Sequence, residues 1–128
     1  MLKKTITYLD YDGNSRTEDF YFNISRAEYI KMEMDNYGLE QMMQKIAQEL
    51  DSKKLYALFS DIILMSYGEK SPDGKRFVKT QEMRDAFAQS EAYSELIMDM
   101  FKDDNAAAFF KGIAPKNPED HKKPEGQQ

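Results

Sequence analysis

Residues 11–28 read YDGNSRTEDFYFNISRAE, a turn, a strand and the opening of a helix in succession. Asp12, Gly13, Asn14 and Ser15 tolerate the positive φ values that a tight hairpin turn demands. The stretches on either side, residues 4–11 and 17–24, are rich in Thr, Ile, Tyr and Phe, so a β-hairpin is predicted over about 4–24. In its second arm Phe20, Phe22 and Ile24 share one face at period two, while Glu18, Tyr21 and Asn23 interrupt or oppose them. That face should dock on helices. Ser25-Arg26-Ala27-Glu28 then forms a capping box: the Ser25 hydroxyl can accept from the amide three residues on, and the Glu28 carboxylate can reach back. Ile24 and Tyr29 fit the hydrophobic staple around it.

Working outward, the first helix carries Ala27, Ile30, Met34 and Tyr37 as its main stripe, and Gly38 reads as a left-handed stop. Leu39, Met42, Met43, Ile46, Ala47 and Leu50 recur at helical spacing and predict a second helix. Asp51-Ser52 can cap a third, which holds Leu55, Tyr56, Leu58, Phe59, Ile62, Ile63 and Met65 and ends near Gly68; being apolar around most of its circumference, it should be central. Residues 69–76 read as a solvated loop, since they contain Ser-Pro-Asp-Gly among charged neighbours. Thr80 and Ser90 are N-cap residues for two further helices, one with Met83, Ala86 and Phe87, the other with Tyr93, Leu96, Ile97, Met100 and Phe101. A last short helix runs from Asp104 through Phe109 and Phe110 to Gly112. After Ile113 three of the four prolines gather with no large apolar residue, which predicts a disordered tail over 114–128. The expected fold class is therefore α+β, mainly α. Residues 1–113 form one domain, an N-terminal β-hairpin on a bundle of about five to six helices.

A length of 128 residues suits a single core. A formal charge of -5 and a pI near 4.9 argue against a protein that holds nucleic acid by neutralising phosphates. The absence of cysteine excludes disulfides, thiolate metal sites and thiol nucleophiles. The opening, MLKKTITYLDYDG, alternates with polar residues instead of running into an apolar signal core, and no stretch approaches membrane-spanning length. An intracellular protein with no membrane and no nucleic-acid partner is expected.

No constellation nominates an enzyme. The single histidine, His121, falls in the expected tail, where nothing would orient it for catalysis. Asp103-Asp104 reads as a helix cap rather than an acid/base dyad. Asp10 to Asn14 has the flavour of a calcium loop, but the glycine comes too early and lies between two strand patterns, so a hairpin turn explains it better. Gly68-Glu69-Lys70-Ser71 lacks the preceding glycine-rich turn of a phosphate-binding loop. No cofactor and no metal are expected.

Nine methionines and sixteen Phe and Tyr residues, with no tryptophan, make a set of flexible and flat apolar groups suited to an adaptable binding surface. Most belong in a core. Those off the main stripes are the candidates for a partner surface: Tyr29 and Met32 on the first helix, Met98 on the fifth, and Phe109, Phe110 and Ile113 on the short last helix. An unpaired edge of the hairpin could add to a partner strand or to another copy, giving a homo-oligomer.

Three strings carry a family resemblance: Tyr-Asp-Gly-Asn-Ser-Arg-Thr-Glu-Asp-Phe-Tyr-Phe-Asn-Ile-Ser at 11–25, Ser-Tyr-Gly-Glu-Lys-Ser-Pro-Asp-Gly-Lys-Arg-Phe at 66–77, and Ala-Tyr-Ser-Glu-Leu at 92–96. The chain resembles the tail assembly chaperones of long-tailed bacteriophages from the hairpin to Ile113. The resemblance implies a non-enzymatic protein of the host cytoplasm, absent from the mature virion, that binds the tape measure protein, keeps it soluble and promotes tail tube assembly. It also implies a contact with the tail tube protein through a frameshifted longer form. A reading from another class is an acidic phage protein that mimics DNA and inhibits a host nucleic-acid-binding enzyme. Salt separates the two, since ionic capture collapses in it and apolar capture persists.

Overall fold

The computed structural model describes residues 1–35 and 38–116. The hairpin is present, two residues earlier than the composition suggests: β1 spans Leu2–Leu9 and β2 spans Ser15–Phe22, antiparallel from Leu2 opposite Phe22 to Leu9 opposite Ser15. Between them Asp10 builds the turn, its Oδ1 accepting from the amides of Asp12 and Asn14 at 3.0 and 2.9 Å. Gly13 takes φ +83°, where a side chain would be strained. Arg16 donates to the other Asp10 oxygen at 2.6 Å, and that bond, with the turn amides, holds the Asp10 carboxyl below its ordinary pKa. Both carboxylate oxygens are thus engaged within the turn.

Helices α1 (Arg26–Met34), α2 (Leu39–Gln48) and α3 (Ser52–Ser66) follow. Of the segment 69–76 expected to be a solvated loop, Glu69 and Lys70 belong instead to β3 (Tyr67–Lys70), and directly after the segment comes β4 (Phe77–Val78); the two strands extend the hairpin to a four-stranded antiparallel sheet in the order β1-β2-β3-β4. Gly68 reads as a strand residue, not a helix end. A Cβ there would lie 2.7 Å from the Val78 carbonyl oxygen, so only glycine lets β3 and β4 close. Helices α4 (Gln81–Ala88), α5 (Glu91–Met100) and α6 (Asn105–Ile113) follow. Thr80 caps α4 by accepting from the Met83 amide, and Asp51 caps α3 through the Lys53 amide. Ser90 caps nothing with its side chain; its hydroxyl donates to the Phe87 carbonyl, tightening the α4–α5 corner.

The core lies between the helix-facing side of the sheet and α3, α5 and α6. Phe22 and Ile24 are fully buried, as their alternation predicts. Phe22 meets Phe109 edge-on at 5.2 Å, and Tyr67 stacks on Phe87 at 4.4 Å. The strand leaving β2 runs between two other segments: the Asn23 amide donates to Ser66 and the Ile24 amide to Ile113. Buried Ser66 satisfies its hydroxyl on the Ile62 carbonyl at 2.7 Å.

The first two helices depart from the expected faces. The predicted stripe of α1 points outward: Ala27 is exposed, Ile30 and Met34 are 58% and 75% exposed, and Tyr37 lies outside the described residues. Tyr29 and Met32, the second line, pack against the core instead. The capping box fixes this rotation, because Glu28 must turn inward toward Lys79, carrying Tyr29 and Met32 with it. Gly38 is no left-handed stop; it has φ -68° and precedes α2 as its N-cap. In α2 Leu39 and Met42 are buried and Ile46 packs on the core, while Met43 and Ala47 face outward; Leu50, expected on the same helix, lies beyond its end and is exposed. His121 and residues 117–128 of the expected tail lie outside the described residues.

Candidate functional site

An apolar groove of about 470 Å³ opens between α1, α2 and the end of α6. Its floor is the edge of Phe110, itself 1% exposed, with Leu39 beside it at the start of α2. One wall is Tyr29 and Ile30 of α1, the other Met43, one helical turn after Leu39. The α6 helix closes with the Ala114 amide on the Phe110 carbonyl, and the extended Ala114 sends Pro115 and Lys116 along the open end. The groove is lined mostly by apolar groups, which gain from being covered by another apolar surface.

The rim has the opposite charge to the molecule. Arg26, Lys111 and Lys116 line the groove against a single carboxylate, Glu40. Among the described residues none of these three cations forms an ion pair.

The α1 wall is held by polar chemistry. Ser25 donates its amide to Glu28 at 2.8 Å and its hydroxyl accepts from the Glu28 amide at 3.1 Å. The same Glu28 carboxylate takes Lys79 Nζ at 3.0 and 2.9 Å on its two oxygens. Burial alone would raise the Glu28 pKa, but the Ser25 amide and the Lys79 ammonium outweigh it and hold the carboxyl below its ordinary value. Burial pushes the Lys79 ammonium down, and Glu28 offsets part of that.

Of the residues expected at a partner surface, the groove brings together Tyr29 and Phe110. Phe109 and Ile113 are core residues, 3% and 0% exposed, and Phe110 offers only its edge; the expectation that all three crowd the surface is corrected. They turn inward because α6 is the layer on which Phe22 and Ile24 rest. Met32 is half-buried in a separate small cavity with Ile24 and Met65. Met98, 54% exposed, sits apart in a cleft between β1 and α5. Sequence reasoning missed Ile30, Leu39 and Met43 as groove residues because it assigned them to core stripes. The signal was present: α1 carries two apolar lines, and only one can face the core.

Among the described residues no three His, Cys, Asp or Glu side chains are grouped to hold a metal ion. No helix among them is long and apolar enough to cross a membrane. What the arrangement can do is receive an apolar side chain or helix face beneath a ring of positive charge. No curated protein and no solved structure matches the chain. A family model described as phage tail assembly chaperone matches residues 1–126, nearly the whole sequence, and the chain therefore belongs to the phage tail assembly chaperone family.

Proposed function

We propose that the groove captures apolar helical segments of the tape measure protein, keeping that long chain soluble in the host cytoplasm while tail tube subunits assemble around it. The observation that carries this reading is the exposed Ile30–Met43 lining over the Phe110 floor, an apolar cleft built on a chain of an assembly-chaperone family. Such a groove suits helix-in-groove binding, and its flexible methionine tolerates varied sequences. The net charge of -5 keeps the complex soluble and repels phage DNA. The chaperone leaves before the virion is complete, and a frameshifted longer form would add the contact to the tail tube protein.

Co-expression with the tape measure protein tests this. The soluble fraction of that protein should rise with the wild-type chain and fall back with Ile30→Glu, which places a charge in the groove at an exposed position. Equal solubility with and without the chain would overturn the reading.

A further inference from the structure

Strand β1 is the long open edge of the sheet, at one end of the order β1-β2-β3-β4. In an antiparallel pair alternate residues bond across, and the rest turn their main-chain groups away. The Asp10 amide donates to the Asn14 carbonyl at 2.9 Å, which sets the even residues of β1 against β2. The amides and carbonyls of Lys3, Thr5, Thr7 and Leu9 therefore point outward, and no other segment among the described residues bonds to them.

Helix α5 runs along this edge in the opposite direction. Tyr11, just past β1, donates to Glu91 at 3.4 Å, and Lys4, near its start, lies 3.9 Å from Asp99. Between edge and helix opens a cleft of about 210 Å³ whose lining includes Thr5 and Thr7 on one side and Glu95, Met98 and Lys102 on the other. The threonine hydroxyls are engaged on the far face, with Asp19 and Thr17, so both residues offer the cleft their main chain. Met98 is 54% exposed, and among the described residues neither Glu95 nor Lys102 forms an ion pair.

We propose that β1 takes up an extended segment of a phage tail protein as a fifth, antiparallel strand, with a basic, an apolar and an acidic side chain facing Glu95, Met98 and Lys102 in turn. Main-chain hydrogen bonds supply the attraction. Charge sets the direction, because a strand antiparallel to β1 runs with α5 and meets Glu95 before Lys102. The spacings agree within side-chain reach: alternate strand residues are about 6.8 Å apart, and the helix rises about 4.5 Å from 95 to 98 and about 6 Å from 98 to 102. The occupant is a bare strand. A partner strand with its own helix on the same face would set that helix about 4.8 Å from α5, inside the roughly 8–10 Å that helix packing requires. Such strands belong to proteins still awaiting assembly, the partners that the family's role supplies. No residue lining the cleft lines the groove, so the contact is independent of helix capture there.

The peptide acetyl-Thr-Lys-Thr-Val-Thr-Glu-Thr-amide, with Lys, Val and Glu on the α5 side, tests this by NMR titration of the labelled protein. It should bind with a Kd on the order of 0.1–1 mM, moving the amide signals of Thr5 and Thr7 well beyond those of Lys4 and Ile6. N-methylation of the two threonines flanking the valine, whose amides face β1, should abolish binding. N-methylation of the valine, whose amide faces solvent, should leave it. The peptide with Lys and Glu exchanged should bind about threefold more weakly at low salt. Thr5→Pro removes an edge amide that β2 does not use, a place where a sheet accepts proline, and should abolish binding. Met98→Ala, at an exposed position, should weaken it about threefold. Ile30→Glu should bind the peptide as the wild type does. A wild type that does not bind, binding that survives methylation of the threonines, signal shifts confined to regions outside β1 and α5, or loss of binding in Ile30→Glu would each overturn the proposal.

Discussion

Helices α1 and α6 are both nine residues long and both line the groove, yet they are held by different physics. Helix α6 buries Phe109, Phe110 and Ile113, the first edge-on to Phe22, and passes the Ile113 carbonyl to the Ile24 amide. Helix α1 fully buries nothing; it leans on Tyr29 and Met32 and is fixed by the Ser25–Glu28 box and by Lys79. The groove therefore has a floor fixed by apolar packing and a wall fixed by polar contacts that water can replace. Such a wall can adjust to different occupants while the floor keeps its shape.

The largest difference should appear on cutting into α6, the helix that carries the floor. Phe109→Ala removes a buried ring and should cost about 3–5 kcal/mol, a large part of the stability of a domain this size. Phe110→Glu, which buries a charge, should leave little folded protein by far-UV circular dichroism. Chemical denaturation measures both. Were Phe109→Ala as mild as a change on the outer face of α1, the contrast between floor and wall would fail.

A smaller effect belongs to the hinge between β2 and α1. Ser25→Ala removes the hydroxyl that caps the Glu28 amide and should cost about 1 kcal/mol. Acid should loosen the same point. Glu28 titrates lower in the folded protein than in the unfolded chain, so its contribution is present above the ordinary carboxylate pKa and is lost as pH falls through the lowered folded value. Hydrogen exchange, corrected for its own pH dependence, should show α1 amides losing protection in acid before those of α6.

How much of this was legible in the sequence follows from which forces are local. The capping box, the Thr80 and Asp51 caps and the hairpin turn each depend on residues within a few positions; the sequence places the box and the caps correctly and finds the turn two residues late. Strand β3 was hidden because it pairs with the end of β2, more than forty residues away, and the two-residue β4 because it is too short to show a period and follows a turn, closed by the Ser71 amide on the Arg76 carbonyl, that looks the same in a loop. The groove itself was half legible. Tyr29 and Phe110 stood out as off-stripe aromatics, but apolar periodicity alone does not say which of two lines on α1 faces inward. That was decided by Lys79, a partner 51 positions from Glu28.

The finest test separates lining the groove from merely being exposed on the same helix. Ile30 and Met34 lie one turn apart on α1, at 58% and 75% exposure, but only Ile30 lines the groove. Serine at either position changes helix propensity little and removes no buried contact, so Ile30→Ser and Met34→Ser should each move stability by no more than about 0.5 kcal/mol. Their effects on capture should part. Ile30→Ser should weaken binding of an apolar tape measure helix about tenfold, roughly 1.4 kcal/mol. Met34→Ser should leave the affinity within about twofold. If both substitutions weakened binding equally, the occupant would lie along the whole outer face of α1, and the Phe110 floor would lose its role in recognition.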